Sequence, residues 1–167
     1  MAGSGPPDPH HSRNHRITGA CPFMGLSPQV KNNCRTGACL TRRKKMNVLK
    51  TGIDLIEVER FRSQKPEIRK RFIDRVYTEA EKDYCRDNDQ HLAGRFAAKE
   101  AVAKALGCGI GEIEWQEIEI LSDELGAPVL HLHSKAAERA ERLGLTLWSV
   151  SITHLKEYAA AVAVGSS

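Results

Sequence analysis

Glu100 stands in the stretch GRFAAKEAVAKALG, residues 94–107, with Arg95, Lys99 and Lys104 close to it along the chain. One carboxylate among three cations can be a set of structural ion pairs, in which Arg95 meets Glu100, or Glu100 meets Lys104 at i, i+4 for about 0.2–0.5 kcal/mol. The surplus of positive charge also suits a phosphorylated ligand better than self-neutralisation. Asp54, in VLKTGIDLI, is open to two readings as well. Its period-2 neighbours are Gly52 and Ile56, so its carboxylate lies on a face with little else that is polar. It either caps a helix starting near Glu57 or meets Glu100 as a second carboxylate. Two carboxylates completed by phosphate oxygens and water are the usual surroundings of Mg2+, which rarely has an all-protein cage. His154, the last residue of SVSITH, is by position an ordinary half-exposed strand-end histidine.

The elements that must position these residues follow from pattern. Residues 91–106 lack Pro, are rich in strong helix formers and stop at Gly107, which predicts a helix with a left-handed glycine cap. At about 100° per residue, Leu92, Phe96, Ala103 and Leu106 make the core stripe, with Glu100 and Lys99 at its borders. Ala98, Ala101 and Ala105 leave the other side small enough for close approach of another element. Residues 48–56 read as a strand in which Gly52 marks a place for a nearby backbone. Thr78 with Glu81 is a capping-box signature for a short helix from Glu79 to about Arg86, followed by a loop over residues 87–90. GCGIG at 107–111 follows a helix and has the wrong spacing for a dinucleotide fingerprint, so it reads as a cap and turn. Residues 115–121 and 129–133 predict a hairpin around Gly126, residues 135–143 a helix ending at Gly144, and residues 146–154 and 158–164 a second antiparallel pair.

With 167 residues the chain is long enough for one core, and its charge is unevenly placed. Residues 1–45 carry eight Lys or Arg and only Asp8 as an acid, a net +7, which against +4 overall leaves −3 for residues 46–167. The body is therefore no bulk nucleic-acid binder. Its one basic run, with Arg60, Arg62, Lys65, Arg69, Lys70, Arg71 and Arg75 against Glu67 and Asp74, is a solvated helix face or a dock for an acidic protein. It lacks the interleaved aromatics of a single-strand binder. Residues 1–45 have no apolar periodicity and read as a disordered leader, an upstream extension before Met46, with an organelle transit sequence as the alternative. Cys21, Cys34, Cys39 and the nearby histidines lack the paired spacing of a zinc site. No apolar stretch is long enough for a membrane span and no secretory h-region is present, so the reading is a soluble, cytoplasmic protein with Cys85 and Cys108 as free thiols.

With Asp54, the FAAKEAVAKALG helix and SITHLKEYAAA in that order, and GIDLIEVERF, the basic segment and the EIEI hairpin between and before them, residues 48–164 resemble the holo-acyl-carrier-protein synthases. These are the short bacterial branch of the phosphopantetheinyl transferases. The resemblance implies an α+β phosphopantetheinyl transferase fold over residues 46–167, a small antiparallel sheet packed with a long central helix and short helices. It implies transfer of 4'-phosphopantetheine from coenzyme A to a serine of apo acyl carrier protein, with release of adenosine 3',5'-bisphosphate, a step serving fatty acid biosynthesis. By the same resemblance Asp54 and Glu100 are Mg2+ ligands, and Glu100 and Lys104 are catalytic. Arg95, Lys99, Lys104 and His154 contact coenzyme A. Arg60, Arg71 and Arg75 lie where the acidic carrier protein docks, and the family assembles as a homotrimer with sites at subunit interfaces. Serine's proton goes to Glu100 or to a metal-bound water, and the residues leave both open. Two other classes stand against the transferase: a non-catalytic domain binding an acidic partner through residues 60–75, and a Mg2+-dependent nuclease.

Overall fold

The computed structural model describes residues 47–167; the expectations for residues 1–45, the leader and its cysteines and histidines, lie outside the described residues. The chain runs β1 (Leu49–Glu57), α1 (Glu59–Arg62), α2 (Pro66–Val76), α3 (Glu79–Cys85), α4 (Asp89–Ala105), β2 (Ile118–Ser122), β3 (Pro128–Leu132), α5 (Ser134–Leu143), β4 (Leu147–His154) and β5 (Tyr158–Ser166). The strands form two antiparallel sheets, a three-stranded one in the order β1-β5-β4 and the β2-β3 hairpin. The expected α+β architecture is present.

Helix α4 is the axis of the core. Asn88 caps its first turn, its side chain accepting from the backbone N–H of Gln90 and His91, so the helix begins two residues before the stretch predicted from periodicity. At the other end Gly107 has φ +65°, Cys108 N donates to Ala103 O and Gly107 N to Lys104 O, a Schellman closure that only a residue at ease in the left-handed region permits. The expected core stripe was too narrow. Nearly the whole circumference is buried, including Ala97, Ala98, Ala101 and Ala105, because sheet, hairpin and α3 enclose the helix from several sides.

The three-stranded sheet meets α4 at backbone distance. A Cβ on Gly52 would stand 1.9 Å from Ala101 O and 2.8 Å from Ala105 N, so the glycine of β1 and the alanines of α4 are one packing device. In the antiparallel register Asp54 faces Ala161, which faces Ile152, and His154 lies two residues beyond Ile152. Asp54 and His154 therefore share the sheet face that carries α4, but sit on the two edge strands. On the opposite face Leu49, Ile53, Leu55 and Leu147 are each about two-thirds exposed, a row of large apolar side chains without cover in a single chain.

Local predictions were corrected in places. Residues 115–117 are a 3-10 turn and the strand starts at Ile118. The basic run is divided by Ser63 to Lys65 into α1 and α2. The capping box of α3 forms with both of its hydrogen bonds. Among the described residues no helix is long and apolar enough to cross a membrane.

Candidate active site

Chemistry-bearing side chains gather on both flanks of α4. On the β1 flank Lys104 Nζ donates to Asp54 Oδ1 and to Ile53 O, each at 2.9 Å. Glu100, one turn before Lys104, feels both groups. Burial pushes its carboxyl above the ordinary range, the charge of Asp54 pushes it further the same way, and Lys104 opposes them. The two carboxylates thus repel each other, and the one lysine beside them bonds to Asp54. An oxygen-only donor pair with one carboxylate more than its single lysine balances fits a divalent cation of the Mg2+ type, with phosphate oxygens and water as the remaining ligands. Among the described residues no cluster of three or more His, Cys, Asp or Glu offers an all-protein cage.

On the β4 flank a cleft of about 130 Å3 is lined by Tyr84, His91, Arg95, Ser122 and His154, with Gly126 and Pro128 of the hairpin at its wall. Arg95 is 5% exposed; its Nη2 donates to Ser122 Oγ at 2.8 Å and its guanidinium lies 3.9 Å from the centre of the Tyr84 ring. The stacked ring and the hydroxyl hold the cation in one orientation, with its positive charge uncompensated by any acid lining the cleft. Arg95 precedes Glu100 by five residues, which is about 7.5 Å along the helix and about 140° around it, and this rotation places the two flanks apart.

A model of the 4'-phosphopantetheinyl transferase superfamily matches residues 50–163, a span that takes in Asp54, the whole of α4 and His154. The chain belongs to this superfamily. It is 47% identical over 125 residues to a holo-[acyl-carrier-protein] synthase of Herpetosiphon aurantiacus, covering 71% of this chain and 98% of that protein. Among solved structures it is similar to the Helicobacter pylori holo-[acyl-carrier-protein] synthase in complex with coenzyme A, with TM-score 0.62 and 33% identity over 69% of this chain and 98% of that one. It is also similar to the Bacillus anthracis holo-(acyl-carrier-protein) synthase in complex with CoA (3',5'-ADP), with TM-score 0.57 and 33% identity over 71% and 96% of the two chains.

Within this phosphopantetheinyl transferase fold the residues singled out from sequence fall into four groups. Asp54, Glu100 and Lys104 come together, and Arg95 and His154 line one cleft. Lys99 departs from expectation. Its side chain is fully buried, and its ammonium pairs with Glu81 Oε2 at 2.8 Å and donates to the carbonyls of Trp115 and Ile118. All three N–H donors are engaged inside the core, so Lys99 has none to offer coenzyme A, and the contact expected of it is corrected to a structural ion pair. The physical reason is its place on the wheel, on the side that α3 and the turn at Trp115 cover. Arg60, Arg71 and Arg75 are exposed and make no ion pair among the described residues, whereas Arg62, Arg69 and Lys70 are tied to Asp89, Asp87 and Asp74. The basic surface is smaller than the sequence suggested.

Sequence reasoning missed Tyr84, His91 and Ser122 as cleft residues, and it read Glu81 only as a cap. His91 was within reach, since it precedes Arg95 by four residues on the same helix face. Tyr84 and Ser122 carry no such signal, because only the packing of α3 and the hairpin brings them there.

Proposed function

We infer that residues 46–167 form a holo-[acyl-carrier-protein] synthase, which moves 4'-phosphopantetheine from coenzyme A to a serine hydroxyl of apo acyl carrier protein and releases adenosine 3',5'-bisphosphate. The observation that carries the reading is the Asp54–Glu100–Lys104 cluster on the central helix of a chain that matches synthases of that name over nearly their whole length. In the transfer, serine oxygen forms a bond to the β-phosphorus and the bond from that phosphorus to the oxygen bridging it to the leaving nucleotide breaks. Positioning and electrostatics supply most of the catalysis in such steps. Asp54 and Glu100 would hold Mg2+, which when bound neutralises charge on the pyrophosphate. Lys104, half exposed beside Asp54, faces the charge that grows on the leaving group. A proton-acceptor role for Glu100 belongs to this reading, and its raised carboxyl brings its basicity closer to that task.

Arg95 and His154 bind phosphate of coenzyme A in the β4-flank cleft. Because that cleft and the carboxylates lie on opposite flanks of α4, one ligand is best served by two copies of the chain, the β1 edge of one beside the β4 edge of the next. The uncovered apolar row of Leu49, Ile53, Leu55 and Leu147 is the surface such a homotrimer would bury. The exposed Arg60, Arg71 and Arg75 are the dock for the acidic carrier protein, acting mainly on encounter rate. Two free thiols, Cys85 and Cys108, suit a reducing, cytoplasmic setting.

The test uses the full chain with Asp54→Ala and Glu100→Gln. Both variants should keep the wild-type Tm and lose Mg2+-dependent modification of carrier protein, and a chelator should silence the wild type. Normal activity in both would remove the site assignment.

A further inference from the structure

His91 stands on the first turn of α4, one turn before Arg95, and its ring lies between two others, 5.7 Å from the centre of Tyr84 and 5.7 Å from that of His154. Its Nδ1 is buried and has no hydrogen-bond partner among the described residues, and the Nε of Arg95 is in the same condition. Buried polar atoms are nearly always paired, so two orphans at one cleft point to a polar occupant. The lining decides its sign. A guanidinium, two imidazoles, a phenol and a serine hydroxyl face the space, and among the described residues no carboxylate does; Asp123, the acid next to Ser122, turns its Oδ1 onto the backbone N–H of Leu125 and Ala127 instead. A cavity of about 130 Å3 holds one phosphate group comfortably.

We propose that His91 is a phosphate-binding residue of this cleft and gains its proton as the ligand arrives, so that coenzyme A binding is coupled to proton uptake. The inference rests on reading the cleft as part of the coenzyme A site. In the free chain three features disfavour the imidazolium: burial first, then the neighbouring His154 and Arg95. No acid on α3, α4, β4 or the hairpin compensates them within the cleft. A phosphate reverses that balance, since it places one negative charge (a pyrophosphate phosphorus) or up to two (the 3'-phosphate) against a ring whose neighbours are cationic or neutral. The proton comes from solvent, and no bond other than N–H is made.

The experiment is calorimetric titration of the full chain with coenzyme A in two buffers of different ionisation enthalpy, which counts protons taken up, on the wild type, His91→Phe, His91→Gln and Arg95→Ala. Phe keeps the aromatic stack and Gln keeps hydrogen bonding, and neither can carry the charge. The 3'-phosphate monoester itself titrates near pH 6, so wild type and variants are compared at each pH from about 6.5 to 8. The wild type should take up protons near neutrality, and both His91 variants should lose a large part of that count. Their affinity should fall about five- to tenfold at about pH 6.5, with the gap narrowing towards pH 8. Dephospho-coenzyme A identifies the group in the cleft: loss of the uptake assigns it to the 3'-phosphate, and persistence assigns it to the pyrophosphate. If the His91 variants keep the wild-type proton count and pH dependence while Arg95→Ala weakens binding, the inference about His91 is wrong and the cleft reading stands. If Arg95→Ala binds coenzyme A as tightly as the wild type, the cleft reading itself is wrong.

Discussion

Replacing Lys99 by Met separates a core residue from a ligand contact. The Lys99 ammonium and the Glu81 carboxylate are both fully buried and 2.8 Å apart. Glu81 also accepts from the backbone N–H of Thr78 and Ile120, so each partner is held by hydrogen bonds on every side. Met preserves most of the apolar stem, and what is lost is the cation. The carboxylate then stays buried with only the two N–H donors, and breaking a buried pair in this way costs about 3–5 kcal/mol. At about 3–6 °C per kcal/mol for a domain of this size, Tm should fall by about 10–30 °C. The double variant Glu81→Gln with Lys99→Met removes both charges and keeps an acceptor for Ile120 N–H, so it should be more stable than Lys99→Met alone, with a coupling of about 2 kcal/mol. Thermal unfolding of the four proteins supplies the cycle, and coenzyme A titration of the same samples below their transitions supplies the control. A Lys99→Met chain with the wild-type Tm and a weakened affinity for coenzyme A would refute the burial argument and return Lys99 to the ligand.

Two further predictions bear on packing and protonation. Gly52→Ala puts a methyl group within 1.9 Å of Ala101 O, which is backbone and cannot rotate away; stability should fall by at least about 1–3 kcal/mol. Transferase activity should fall with it, because β1 carries Asp54 away from Glu100, and a variant with normal Tm and activity would contradict the close approach. Cys85 is buried and its thiol is pushed from its ordinary 9.0 up to about 11 by burial, against the pull of Arg95 and with Glu81 adding to the rise. In the native chain iodoacetamide near neutral pH should therefore leave Cys85 unlabelled and react with it only after unfolding, as read by peptide mass. The sign for stability follows: the folded state holds the proton, so this contribution is complete below pH 9 and is lost between about pH 9 and pH 11 as the unfolded thiol ionises.

What could be read from the sequence was what local chemistry determines. The capping box at Thr78 and Glu81, the glycine stop at Gly107 and the alternation of β4 and β5 each follow from neighbours within a few residues, and they formed as expected. Gly52 and the alanines of α4 were each legible as places of close approach, but which element either would meet was settled only by the packing of β1 on α4. Lys99 was illegible because a wheel gives direction without saying what lies there; α3 and the carbonyls at Trp115 and Ile118 decide that a cation on the core side is satisfied internally. Tyr84 and Ser122 reach the cleft through tertiary packing alone, and no spacing links them to Arg95. The division of the basic run into paired and unpaired arginines depended on Asp87 and Asp89, which lie next to it only once α4 folds back.

The most direct test of the whole account is the mass of apo acyl carrier protein after incubation with the full chain, coenzyme A and Mg2+. The account predicts a gain of one phosphopantetheine on a single serine, with adenosine 3',5'-bisphosphate appearing in equal amount, and no gain with Glu100→Gln. An unmodified carrier protein in the presence of folded wild-type chain would contradict it.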